Sequence, residues 1–360
     1  MNSATGFSAT YDQARTKFKD AAAAAGGTLE ALAHPERGRE GEALSTDVAW
    51  FGPRTAERVL VMIAGTHGVE GFCGSGAQID WLARGEAARL SAGVAVLMIH
   101  GVNPYGFSWL RRVTQENVDL NRNWVDFAAP LPANRGYDEL SEAICPAEWS
   151  EESRAASART LGAYLASHGP ANLQHALSGG QYNHPAGVFY GGLGPTWSRR
   201  TQTQIFEAYL GAAAKVAIID YHTGLGPWGY GEQIVTEAPG SEGYLRAKAW
   251  WGAVIASPAD GTSTSAPITG DGLAAAPRLL PRAQVTAMAL EVGTLPLEEV
   301  FGAVRADAWL HAHGDLASPQ GAAIKAQIRA AFYGDADDWK GMVAGQSLLA
   351  VRQAIAGLTG

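Results

Sequence analysis

Arg58-Val-Leu-Val-Met-Ile-Ala-Gly65 is a short, unbroken apolar run closed by glycine, and Thr66-His67-Gly-Val-Glu70-Gly71 follows it directly. A run of this length without alternation reads as a strand buried on both faces, which belongs in a parallel sheet covered by helices on either side. The stretch 72–84 has helical spacing, and Gly93-Val-Ala-Val-Leu-Met-Ile-His100 is a second apolar run, so the three form one strand–helix–strand unit. Lys215-Val-Ala-Ile-Ile-Asp-Tyr221 and Ala283-Gln-Val-Thr-Ala-Met-Ala-Leu-Glu-Val292 read as further buried strands, each running out into Thr and Gly. Helical patterns occupy 11–25, 148–168, 196–210 and most of 297–358, the last broken near His311, His313 and Gly314 and again over 333–338. This order predicts an α/β fold, a three-layer α/β/α sandwich around a mostly parallel mixed sheet. Gly and Pro are spread along the chain and no charge run or low-complexity stretch marks a linker. One domain over residues 1–360 is therefore expected, with N-terminal and C-terminal helical extensions packed on it.

Composition narrows the function classes. The formal net charge of −8, with no basic block, argues against nucleic acid as a partner, because neutralising phosphates needs clustered Lys and Arg. Cys73 and Cys145 are the only cysteines, too few for a disulfide framework or a cysteine-based zinc site. No apolar segment approaches the roughly 20 residues needed to span a bilayer. The polar, Ala-rich N-terminal segment does not read as an export signal, so no membrane association and a cytoplasmic location are expected. No feature of the sequence sets an oligomeric state.

Four stretches carry candidate chemistry. His67 and Glu70 stand three apart on a Gly-bounded loop leaving a strand, where open α/β sheets gather ligand sites, and both side chains suit zinc. The alternative for this pair is a simple loop ion pair. His222, in Ile219-Asp-Tyr-His222-Thr-Gly, leaves another strand and could complete a two-His, one-carboxylate set with a position left for water, or else bond at a sheet edge. Glu291 ends a further apolar strand, where an ionised carboxylate needs a cation or polarised water nearby, or serves the helix beginning near Leu297. The segment 103–126 concentrates Arg111, Arg112 and Arg122, three fixed cations suited to gripping a carboxylate or an oxyanion, or to ordinary surface ion pairs. The Gly- and aromatic-rich passage 179–192 reads as a loop or short ribbon near the site, and Trp109 and Trp124 as possible pocket walls. The remaining histidines, among them His34, His100, His311 and His313, lack a matching second ligand and read as surface or core residues.

At these four stretches, over residues 59–294, the sequence resembles the zinc carboxypeptidase family, including carboxypeptidase A and the succinylglutamate desuccinylase and aspartoacylase relatives. It looks closest to an uncharacterised bacterial carboxypeptidase-like branch. The shared order is His-x-x-Glu, then arginine and an Asp-x-Asn-Arg-Asn run, then a lone His after an apolar strand, then Glu about seventy residues on. The resemblance implies one Zn2+ per chain on His67, Glu70 and His222, with Asp119 hydrogen-bonding a ligand imidazole. It implies Glu291 as the catalytic carboxylate that activates a zinc-bound water and Arg112 as the group that steadies the oxyanion. Asn121 and Arg122 would then hold a substrate carboxylate. Arg111 competes for the Arg112 role or joins in substrate binding, since adjacent arginines cannot be told apart by spacing. The family's mobile tyrosine, about twenty residues before the Glu, has no counterpart in 263–282, leaving Tyr182, Tyr190, Tyr230 and Tyr244 as substitutes.

The resulting expectation is a zinc-dependent metallopeptidase or amidohydrolase cleaving a peptide or amide bond next to a free carboxylate. Its substrate would be a peptide or an N-acyl amino acid. A small-molecule N-acyl amino acid deacylase is the alternative within the enzyme class, and a non-catalytic carboxylate-binding module the alternative outside it.

Overall fold

The computed structural model describes residues 3–360; Met1 and Asn2, the start of the expected domain span, lie outside the described residues. Its strands are β1 (Thr28–Arg37), β2 (Ala43–Phe51), β3 (Arg58–Ala64), β4 (Val94–His100), β5 (Lys215–Thr223), β6 (Gly231–Ile234), β7 (Ile255–Ala256) and β8 (Gln284–Val292). They form one sheet in the order β1-β2-β4-β3-β5-β8-β6-β7. The helices are α1 (Tyr11–Ala24), α2 (Gly71–Ala83), α3 (Pro104–Ser108), α4 (Arg135–Ile144), α5 (Glu151–His168) and α6 (Pro170–Ser178), then α7 (Trp197–Leu210), α8 (Glu242–Trp251), α9 (Gly272–Leu279), α10 (Leu297–His313), α11 (Pro319–Phe332) and α12 (Asp337–Thr359).

The four apolar runs read from sequence are the four central strands, and β4, β3, β5 and β8 are mutually parallel. Burial on both faces explains their lack of alternation. One face, with Leu60, Met62, Ile219, Tyr221 and Leu290, packs against α1, α2, α8 and α12. The other face, with Val61, Ile63, Val216, Ile218, Val285 and Ala287, packs against α7 and α9. Each such large apolar side chain stabilises the fold by ~1.5–3 kcal/mol relative to exposure, which fixes where each strand ends.

The outer strands lack the unbroken apolar run of the central ones. β1 pairs antiparallel with β2 at the sheet margin and is mostly exposed, so it has no apolar run to detect. Pro35 falls where its register shifts, as proline must in a ladder. β6 runs antiparallel to β8 and is four residues long. The sheet is thus mixed: β1/β2, β2/β4 and β6/β8 pair antiparallel, and the edge strand β7 pairs parallel with β6. The C-terminal helices differ from an appended extension: α12 buries Trp339, Val343, Val351 and Leu358 in the same cluster as β3 and β5, and so forms part of a layer. No helix among the described residues is long and apolar enough to cross a membrane.

β3 leads through α2 to β4 on one side, while β5 lies on its other side. Chain direction therefore diverges at the β3/β5 boundary, and the loops leaving the carboxyl ends of these strands open a crevice there.

Candidate active site

His67, Glu70 and His222 meet at this divergence. One ligand atom from each lies within 4.8 Å of the others, and all three residues are buried. Glu70 sits between the rings, with His67 Nδ1 3.0 Å from Oε1 and His222 Nδ1 3.0 Å from Oε2. The two Nδ1 atoms are only 3.2 Å apart. The opposite ring nitrogens are already committed: His67 Nε2 lies 3.1 Å from Asp119 and His222 Nε2 3.0 Å from Asp220. With Nε2 of each ring engaged by an aspartate, Nδ1 is the nitrogen that each would offer to a metal. Two ring nitrogens and a buried carboxylate converging on one point form a borderline N/O donor set that fits zinc.

Backbone packing builds this set. The loop 65–71 is clamped by Gly68 N and Val69 N donating to the carbonyls of Arg112 and Arg111, at 3.1 and 2.8 Å. Gly68 permits the approach, since a Cβ there would meet Gly106 backbone carbon at 2.1 Å. Glu70 also accepts from Arg112 Nη1 and from the amide of Thr223, each at 3.0 Å. Burial opposes its ionisation, yet the two imidazoles hold it well below the usual carboxylate range.

Glu291 is the register partner of His222 across the parallel β5/β8 ladder, so its side chain shares the same sheet face. It accepts a hydrogen bond from the amide of Leu225 at 3.1 Å, on the glycine-rich rim that follows His222. Burial, and then the nearby Glu70 carboxylate, push its pKa up to about 7. The proton-holding capacity of such a carboxylate suits an acid–base group.

The arginines separate cleanly. Arg112 donates to Asp119 at 2.9 Å and to Glu70 at 3.0 Å, beside the ligand set. Arg122 is 3% exposed, with Nη1 and Nη2 on the carbonyls of Asn121 and Ser178, while its buried Nε has no partner. Asn121 takes part through Asp119, which accepts from its amide at 2.9 Å, and its own Oδ1 accepts from Gly272 N at 3.3 Å. Arg111 is not brought to the site. It turns away to pair with Asp307 at 3.1 Å and Asn117 at 2.9 Å, in a buried cluster with Lys325, because an extended guanidinium on the neighbouring residue points to the opposite side of the loop. Trp109 likewise stacks on Tyr105 and donates to Arg37, away from the site. Trp124 is buried behind Arg122, near the start of α9.

Asp119 is shared: it serves His67 and Arg112 and is fully buried, and although burial opposes its charge, Arg112 and His67 hold it well below its usual range. Asp220 is the site residue that sequence reasoning missed. It lies two residues before His222 on the same strand, hence on the same face, and that period-two spacing was the signal available.

The passage 179–192 folds over the arginines. Gln181 bridges Tyr190, and the Phe189 ring lies 5.5 Å from the guanidinium of Arg112 and 5.3 Å from that of Arg122. Leu110, Asn117 and Phe189 are the non-glycine residues with positive φ among the described residues, at 52°, 63° and 54°. All three lie in the two loops that frame the arginines, the kind of place where backbone strain is retained for function. Of the candidate tyrosines, Tyr182 spends its hydroxyl on the Arg122 carbonyl at 2.6 Å, whereas Tyr230 stands half exposed on the rim beside Gly293.

The fold has known counterparts. The chain is similar to bovine thrombin-activatable fibrinolysis inhibitor, solved in complex with tick carboxypeptidase inhibitor, at TM-score 0.51 and 9% identity over 98% of this chain and 97% of that one. It is also similar to carboxypeptidase A from Helicoverpa armigera (TM-score 0.49, 11% identity, 90% and 74% covered). A third similar structure is a succinylglutamate desuccinylase/aspartoacylase family protein from Shewanella amazonensis SB2B (TM-score 0.36, 18% identity, 80% and 73% covered). The first of these shows a shared fold. The chain belongs to the family described as proteins of unknown function, DUF2817, whose model matches residues 7–346. No curated protein matches the sequence.

Proposed function

We propose that this protein is a zinc-dependent hydrolase that cleaves a peptide or amide bond next to a free carboxylate. The observation that carries the reading is the convergence of His67 Nδ1, His222 Nδ1 and Glu70 on one point, with Glu291 one strand away on the same face. Zinc held there would supply a Lewis acid that polarises a carbonyl and acidifies water. Glu291 takes the proton from the attacking water and returns it to the leaving nitrogen, a task that suits a buried carboxylate whose proton affinity is raised. Arg112, fixed by Asp119 and Glu70, presents its remaining Nη2 to the oxygen on which charge develops. The unpartnered Nε of Arg122, with Asn121, offers a place for the substrate carboxylate.

A second reading, deacylation of a small N-acyl amino acid, is favoured by one feature. The loop 179–192 and Phe189 cover the arginines and leave Arg122 almost inaccessible, which suits a short substrate better than a polypeptide. Metal content of the purified protein beside the His67→Ala/His222→Ala double variant tests the shared core of both readings. About one zinc per chain, lost in the variant, is expected; a native protein that neither contains nor takes up metal leaves a non-catalytic carboxylate-binding role instead. A series of short peptides against N-acyl amino acids then separates the two readings.

A further inference from the structure

Outside the metal-binding set, a second cluster of buried charges lies where α10 and α11 meet. Lys325 on α11 is 2% exposed, and its ammonium donates to the Asp307 carboxylate on α10, to His311 Nε2 at 2.7 Å and to the carbonyl of Leu110 at 3.4 Å. Asp307 also accepts from Arg111 Nε at 3.1 Å. The helices do not need these charges in order to pack, since they share apolar clusters that contain Val304 with Ile328 and Leu310 with Ile324. Among the described residues, Asp307 is the one carboxylate within ion-pair distance of both Arg111 and Lys325. His311 adds no charge, because burial, and then Arg111, lower its pKa to about 3. Two cations buried on one carboxylate carry a desolvation cost that an apolar residue at 325 would avoid, so stability alone does not account for Lys325.

What the cluster holds is the segment that carries Arg112. Leu110 and Asn117, at its two ends, have φ of 52° and 63°. A left-handed backbone is costly at leucine and persists only where the surroundings over-determine it. Lys325 holds the first end by its carbonyl, and Arg111 Nη2, whose guanidinium Asp307 fixes, donates to Asn117 Oδ1 at 2.9 Å at the second. Asn117 extends the hold, since its Nδ2 donates to the carbonyls of Pro185 and Gly187, each at 2.9 Å. Two residues on, Phe189, with φ 54°, lays its ring 5.5 Å from the Arg112 guanidinium. The three non-glycine residues with positive φ among the described residues thus lie along one network rooted at Lys325 and Asp307.

The far end of α11 reaches the opposite side of the site. The Thr223 hydroxyl, next to His222, donates to the carbonyl of Phe332 at 2.7 Å, and the Thr294 hydroxyl, just beyond Glu291, to that of Ala331 at 2.6 Å. About 10 Å of helix, at about 1.5 Å per residue, separates these anchors from Lys325. The helix is therefore a strut between the ends of β5 and β8 and the arginine segment.

We infer that Lys325 and Asp307 are positioning residues for Arg112: through α11 and the strained segment Leu110–Asn117 they set its guanidinium against His222 and Glu291. The inference rests on the hydrolase reading for the role of Arg112 at the developing oxyanion. Asp119 and Glu70 fix two of the guanidinium nitrogens, and the network fixes the backbone from which the side chain starts.

The test is Lys325→Met in the full-length, zinc-loaded protein, read in two arms. The variant frees Leu110 and leaves Arg111 and Asp307 paired one to one, so Tm should stay level or rise and zinc should be retained. In the first arm, hydrogen–deuterium exchange should quicken by about tenfold or more over residues 108–119 and 181–191, as loss of a hydrogen bond's worth of local stability predicts, with the rest of the chain unchanged. In the second, kcat should fall by ~10- to 100-fold with KM little altered, because a misplaced Arg112 is missed only where charge develops. Unchanged exchange in both segments, an unaltered kcat, or a lower Tm with faster exchange throughout overturns the inference, the last by showing a merely structural role. If Lys325→Met does not fold, Asn117→Gly decides it, since glycine keeps the left-handed backbone and removes the bridge to 181–191. A native protein that hydrolyses neither peptides nor N-acyl amino acids defeats the hydrolase reading, while the exchange arm still judges the network.

Discussion

Asp220→Asn isolates a single link in the site. Asp220 accepts from His222 Nε2 at 3.0 Å and from the Thr66 hydroxyl at 2.9 Å, and has no arginine attached. Asp119, which plays the same part for His67, also holds Arg112 and the Asn121 amide, so replacing it would disturb several functions at once. An asparagine in place of Asp220 fits the same space but can turn its NH2 toward His222. The imidazole then carries its proton on Nδ1, the atom that faces Glu70 and His67, and loses the lone pair needed for a metal. Loss of such a supporting carboxylate weakens metal binding by about 10- to 100-fold, or about 1.4 to 2.7 kcal/mol. Competition against a chromophoric chelator measures this directly, and circular dichroism on the apo-protein checks that the fold persists. Zinc affinity within twofold of the native protein, in a folded variant, would refute the tautomer argument and with it the role of Asp220.

Glu291→Gln should retain zinc while hydrolysis falls by roughly 10²- to 10⁴-fold, the range a positioned acid–base group contributes; undiminished turnover contradicts the assignment. Arg122→Ala should raise KM by about tenfold or more for substrates with a free carboxylate, from loss of a charge-assisted contact, and an equal rise for the corresponding amides argues against carboxylate binding there. Gly68→Ala forces a methyl onto the Gly106 backbone at 2.1 Å, so metal affinity and Tm should both drop; a native-like melt would show the loop to be freer than its packing implies. Fully buried His100 has its pKa lowered from 6.5 to about 4, chiefly by burial. The folded state therefore refuses a proton that the unfolded chain accepts. Its contribution is complete above pH 6.5 and is lost as pH falls towards 4, by up to about 3 kcal/mol. Urea melts across that window should show a shallower acid slope for His100→Gln, and parallel slopes would exclude His100 as the source.

The central strands were legible from the chain alone because burial on both faces leaves an unbroken apolar run, as in residues 59–64, and their carboxyl ends marked His67, His222 and Glu291 as candidates. The break points near Gly314 and over 333–338 likewise match the ends of α10, α11 and α12, since helix ends need glycine or a change of period. Margin strands such as β1 carry no such mark, because an exposed, one-sided strand has little apolar surface to declare. Which of two adjacent arginines faces the ligand set is likewise invisible in spacing: Arg112 reaches Glu70 only because Asp307 and Asn117, distant in sequence or across the loop, draw Arg111 the other way. The pairing of Asp220 with His222, and the row that sets Glu291 beside His222, depend on ladder register between strands up to scores of residues apart. Local sequence determines which residues want to be buried and which can bind a cation or lose a proton. Only the register and packing of the folded sheet decide which of those side chains meet, because hydrogen bonds and ion pairs act over a few ångströms and the chain carries no local record of its distant neighbours.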